Sequence, residues 1–189
     1  MKISRFMLPA LCALAASTAP ASAQEISLEA RGSLLGPSGD FGDVADGSAG
    51  FGADVFLTLS PSISVYGGYA SDMFDSDVGS SDITSSGFET GVKYIFSRTR
   101  GVLPWARIGG IFNTLDVEDG GIDAESDRGF GFQGAVGVDI PLGDKISFTP
   151  ALRYQAFDAD FDAIGGAFQT EQEVRYFAID FGIHFHPQG

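Results

Sequence analysis

Cysteine is nearly absent from this sequence: there is one in 189 residues, at position 12. It lies in the N-terminal stretch "MKISRFMLPALCALAASTAPASA", which has Lys2 and Arg5 ahead of an apolar run and Ala21-Ser22-Ala23 before Gln24. That is the pattern of a secretory signal peptide over residues 1–23, and its apolar run is too short to span a membrane as a helix. Cleavage there leaves 189 − 23 = 166 residues without a thiol. A disulfide scaffold is thereby excluded, and Pro9-Ala10-Leu11 before Cys12 is a poor lipoprotein cleavage site, which argues against a lipid anchor. An exported domain with no disulfide needs another source of stability, such as a well-closed sheet or a membrane.

Positive charge is also scarce. Eleven Lys and Arg face twenty-five Asp and Glu, giving −14, and loss of Lys2 and Arg5 with the signal makes it −16. Such a surface repels phosphates, so nucleic acid is excluded as a partner. Long hydrophobic runs are missing too: no later segment approaches the roughly eighteen apolar residues of a membrane helix. A membrane role must therefore use strands.

What the sequence has in quantity is alternation. From Phe177 to Phe185 every second residue is large and apolar, with Ala178, Asp180, Gly182 and His184 between. A period of two is the signature of a strand with two unlike faces. Strands are predicted over Glu25–Leu34, Gly50–Ser60, Ile63–Met73, Ser86–Ser97, Leu103–Thr114, Phe130–Pro141, Ile146–Phe157 and Val174–Phe185. The connections alternate short and long. The short ones are Ser60-Pro61-Ser62, "RTRGV" at Arg98–Val102 and "LGDK" at Leu142–Lys145, all carrying Pro or Gly. Strict alternation puts every long loop at one end of an up-and-down meander. Eighteen of the twenty-five acids, Asp72, Asp75 and those of residues 116–127 among them, fall in or beside the long connections. Pro61, Pro104, Pro141 and Pro150 lie toward the short-turn end, where a lost ladder bond costs least.

The polar face decides the orientation. In the second strand Phe51, Ala53, Val55, Leu57 and Leu59 alternate with Gly52, Asp54, Phe56 and Thr58; in the fourth Phe88, Thr90, Val92, Tyr94 and Phe96 alternate with Glu89, Gly91, Lys93 and Ile95. One face is free of charge. The other is mostly small residues with isolated charges of both signs, Glu29, Arg31, Asp54, Glu89, Lys93, Arg107, Asp139, Arg153 and Asp180. That mixture suits a narrow barrel lumen, where each buried charge needs a partner. The expected fold is an all-β, eight-stranded antiparallel up-and-down transmembrane barrel over residues 24–189. Its apolar face meets lipid, and Tyr69, Tyr94, Phe96, Phe112, Tyr154 and Phe185 serve as interfacial aromatics near strand ends.

With these features the chain resembles the small outer-membrane β-barrel proteins of Gram-negative bacteria, of the OmpA/OmpX and opacity-protein type, across essentially Gln24–Phe185. The most telling segments are "RYFAIDFGIHF" and "ARGSLLGPSGDFGD". The resemblance implies a place in the outer membrane, contact with its lipid and lipopolysaccharide, and a monomer. It also implies that the last strand, with Phe181, Gly182, Ile183 and Phe185, is read by the barrel-assembly machinery during biogenesis. This chain departs from the family by running on through His186-Pro187-Gln188-Gly189. No periplasmic cell-wall-binding domain fits within its length.

Chemistry is sparse. His184 and His186 are the only histidines. Some related barrels modify lipid A with a His/Ser site, but His184 lies at the short-turn end, and no neighbouring pattern supplies an acid and a nucleophile. "DVEDGGIDAESD" lacks EF-hand spacing and reads as a solvated acidic loop. No metal site or cofactor is called for. The expected role is structural or surface-interacting, in envelope integrity or in adhesion to a host or cell-surface ligand through four acidic outer loops, without catalysis. A narrow porin-like channel and a soluble periplasmic ligand-binding barrel are the alternatives.

Overall fold

The computed structural model describes residues 25–43, 45–76, 82–96, 101–119, 122–161 and 170–187. The predicted signal peptide, Asp77, Asp162 and most of the Arg98–Val102 turn lie outside them. Eight long strands carry the fold: β1 (Glu25–Pro37), β2 (Ala49–Ser60), β3 (Ile63–Ser76), β4 (Asp82–Ile95), β5 (Leu103–Asp119), β6 (Gly129–Pro141), β7 (Ile146–Phe161) and β8 (Thr170–Phe185). Each pairs antiparallel with its sequence neighbours, and β1 pairs with β8, so the sheet closes on itself. Short strands at Ala45–Asp46 and Ile122–Glu125 add to β3 and β5.

Closure fixes the geometry. A walk across paired residues from Leu28 through Val55, Gly67, Thr90, Gly110, Phe132 and Ala156 arrives at Arg175 of β8. Leu28 itself faces Phe185 across the β1–β8 seam, ten residues further along. Eight strands with that stagger tilt by roughly 40° at ordinary β spacings and leave a lumen wide enough only for side chains.

The faces sort as alternation demands. Outward lie Leu28, Phe51, Val55, Phe88, Ile108, Val136, Ile179 and Ile183, large apolar side chains left exposed. A soluble barrel would reverse this, since an apolar surface of such extent needs lipid to cover it. Tyr94, Phe96 and Phe185 stand at the short-turn end as expected. Tyr69, Phe112 and Tyr154 do not sit at strand ends; the tilt carries them into an aromatic patch on the half nearer the long loops. There Tyr69, Phe88, Phe112 and Phe130 face one another directly across β3–β6, and Tyr154 touches Phe132 and Phe177.

The strands outrun their predicted ends at the long-loop side. β3 reaches Ser76, β5 Asp119 and β7 Phe161, and β8 begins at Thr170. Hairpin arms pair with each other beyond the apolar band, where alternation of hydrophobicity is no longer required. Pro150, inside β7, pairs with Phe181 on one side. On its other side the β6–β7 ladder lacks Val138 and Asp139, resuming at Ile140↔Phe148. The missing N–H of proline accounts for the gap.

Candidate functional site

The functional interior is built from alternate residues of all eight strands, and the stagger stacks them in layers. Nearest the short turns, Lys93 Nζ on β4 reaches both carboxylate oxygens of Asp139 on β6, at 2.9 and 3.1 Å. Its ammonium also lies 4.4 Å from the centre of the Trp105 ring. His184 on β8 shares a hydrogen bond of 2.8 Å between its Nε2 and Ser27 Oγ, and its ring packs on Phe56. Past the end of β8, the His186 N–H donates to Lys145 O at 2.8 Å, fastening the extra C-terminal residues to the β6–β7 turn.

The middle layer is ionic. The Arg31 guanidinium bonds Asp54 through Nη1 and Glu89 through Nη2, the latter at 2.9 Å. Arg107 Nη1 lies 3.2 Å from Asp54 and 3.6 Å from Glu29, and its Nη2 lies 3.7 Å from Asp180. Above them Arg153 Nε bonds Asp180 at 3.0 Å and Nη1 bonds Asp72 at 3.2 Å. Tyr176 Oη donates to Asp72 at 2.6 Å, and Gln155, Gln133 and Tyr66 continue a chain of hydrogen bonds across the lumen. All nine charged residues expected in the interior point inward and are buried.

Asp72 corrects the sequence reading. Counted there with the acids beside the long loops, it is 2% exposed and belongs to this interior set. β3 runs four residues beyond it to Ser76, so Asp72 lies within the barrel wall, on the inward parity.

Small residues make room for large neighbours. A Cβ at Gly52 would come within 2.7 Å of the Arg31 guanidinium carbon. The other large guests are aromatic, which the reading of a small-residue lumen did not anticipate. Tyr66 occupies the space left by Gly91 and Gly109, and Trp105 that left by Gly137. At the long-loop end the lumen is closed by apolar side chains, Leu35, Phe74, Ile83, Leu115, Phe157 and Val174. Phe41, carried on a 3-10 turn over Gly39–Asp43 in the first long loop, is 1% exposed and packs edge-on against Phe74 at 5.1 Å. Gly39 opens that turn with φ 64°, a conformation that suits glycine. No alternation signal marks Phe41, since it stands outside a strand.

The structure also gives His184 neighbours that sequence did not: Ser27 on one ring nitrogen and Glu29 Oε2 at 3.8 Å from the other. The order is serine, histidine, acid. Yet 3.8 Å is too long for the hydrogen bond that would orient the ring, and all three side chains are buried, so no acyl group reaches Ser27. Among the described residues no cluster of three or more potential ligands is arranged to hold a metal ion.

Comparison with known proteins places this architecture. Residues 8–185 match the model of the outer membrane protein beta-barrel domain. No curated protein sequence matches significantly. Among solved structures, Neisserial surface protein A is similar at a TM-score of 0.64 and 16% identity, covering 85% of this chain and 96% of the other. Outer membrane protein OprG from Pseudomonas aeruginosa gives 0.58 and 16%, covering 87% and 97%. Outer membrane protein W of E. coli gives 0.58 and 17%, covering 87% and 98%. At such identities the likeness concerns the fold. The family match and the outward apolar face together overturn the soluble periplasmic alternative. The chain belongs to the outer-membrane β-barrel family and resides in the bacterial outer membrane.

Proposed function

We propose that this barrel is a closed, non-catalytic anchor that presents its acidic loops at the cell surface, serving envelope integrity or adhesion. One observation supports the reading above others: the lumen is filled along its length. Lys93, Trp105 and Asp139 block the short-turn end, the Arg31, Arg107 and Arg153 clusters cross the middle, and Phe41 with Phe74 covers the long-loop mouth. A side-chain plug of paired charges leaves no continuous aqueous path in an eight-stranded barrel.

The last strand acts as an assembly signal in this reading. Phe181, Ile183 and Phe185 project outward from the β1–β8 seam, while Gly182 faces inward opposite Arg31. The rival role, a narrow porin-like channel, is tested by planar-bilayer recording. Purified protein is expected to give no steady conductance, and Arg107→Ala no increase. Discrete openings in the unmodified protein, widened by Arg107→Ala, would establish the channel instead.

A further inference from the structure

The buried charges of the lumen do not cancel. Six carboxyl groups, Glu29, Asp54, Asp72, Glu89, Asp139 and Asp180, face four cations, Lys93, Arg31, Arg107 and Arg153. Lys93 is taken by both oxygens of Asp139. Three guanidiniums are then left against five carboxyls, a surplus of two negative charges in a lumen that excludes bulk water. Uncompensated buried charge is costly, by several kcal/mol per ion even after relaxation, so protons offer the simplest compensation.

Hydrogen bonding locates where one proton belongs. Asp180 accepts from Ser33 and Arg153, and Asp72 from Tyr176 and Arg153. Asp54 and Glu89 differ from these. Both are clasped by the guanidinium of Arg31, through Asp54 Oδ2 and Glu89 Oε2, and Arg107 Nη1 adds a bond of 3.2 Å to the same Asp54 Oδ2. Their second oxygens, Asp54 Oδ1 and Glu89 Oε1, are buried and meet no N–H or O–H donor. The two carboxyl groups hang on neighbouring nitrogens, Nη1 and Nη2, of the Arg31 guanidinium, which holds them side by side. Two ionised carboxylates so placed repel one another, and one proton shared between their free oxygens removes the repulsion. The surroundings are Glu29 beside Arg31 on β1, Tyr66 on β3, Arg107 on β5, Arg153 on β7 and Asp180 on β8. Arg107 is shared with Glu29 and Asp180, and Arg153 is taken by Asp72 and Asp180, which leaves Arg31 as the one cation held by this pair alone.

We infer that Asp54 and Glu89 form a proton-binding pair, holding one proton between Asp54 Oδ1 and Glu89 Oε1 as a standing part of the folded barrel at neutral pH. The site is independent of what the outer loops engage. Removal of the shared proton puts two like charges side by side on the Arg31 guanidinium, with Arg107 already divided among three carboxylates, so alkaline conditions loosen the central layer.

Infrared difference spectroscopy of the folded protein in detergent tests this, with Asp54→Asn and Glu89→Gln as the variants. Either amide replaces the shared proton with its own N–H at nearly constant shape. The unmodified barrel should show the C=O stretch of an un-ionised carboxylic acid at pH 7, shifted in D2O. Both variants should lose that signal while keeping the gel mobility of a folded barrel. Unfolding in urea supplies the second readout. The unmodified barrel should unfold about tenfold faster or more on raising pH from 7 to 10, with the variants changing far less. Absence of an un-ionised acid in the folded protein at pH 7, or its persistence in both variants, overturns the assignment. So does faster unfolding of both variants at pH 7 by about tenfold or more, because an ionised pair would then have lost a needed charge.

Discussion

Arg153 lies wholly inside the barrel and holds Asp72, Asp180 and Ser33 together. Its removal leaves Asp72 buried without its cation and Asp180 with only Arg107 at 3.7 Å, and breaking a buried pair in this way costs about 3–5 kcal/mol. Arg153→Met should lower the unfolding free energy by that order, read from the fluorescence of Trp105, the single tryptophan, during urea unfolding in lipid vesicles. Arg175→Ala should leave it unchanged, because the Arg175–Glu173 pair is half exposed at 46% and 48%. At this scale the sequence was informative about parity and silent about partners. Alternation alone placed Glu89 and Lys93 on one face of β4. That Arg31 meets Glu89 across the lumen, fifty-eight residues away, depends on the ten-residue stagger, which no local pattern encodes. Asp72 was misread for a related reason: an acid near a strand end looks the same whether the strand stops before it or runs past it.

Strands are the elements on which lipid acts. Ile108 stands on the outward face of β5 at 71% exposure, opposite Val92 and Gly134 and well inside the apolar band. Ile26, also outward, is the second residue of β1. Arginine on the lipid face costs about 2–4 kcal/mol at mid-depth and about 0–1 near the interface. Ile108→Arg should therefore destabilise the barrel far more than Ile26→Arg, measured by equilibrium unfolding from vesicles. A similar loss for both would mean that the apolar band is shifted relative to β1. The eight strands were legible because hydrocarbon on one side and a packed lumen on the other impose a period of two. Their outer ends were not, since paired arms in water carry no such demand. The Phe41 lid was invisible for the same reason.

The whole molecule is one closed ladder, and closure requires something apolar outside it. The protein should refold only with detergent or lipid present. It should then run as a compact band on unheated SDS gels that shifts on boiling. A compact species formed equally well in buffer would contradict the outward placement of Leu28, Phe88 and Ile179. The seam that completes the ring pairs Leu28 with Phe185 and Leu34 with Ile179. These residues come from opposite ends of the chain, so the final ladder forms only once the last strand has been made and exported. Until then β1 and β8 are both unpaired edges in search of a neighbour. The polypeptide must consequently reach the outer membrane as an unfinished object, and its stability begins only at the moment its two ends meet.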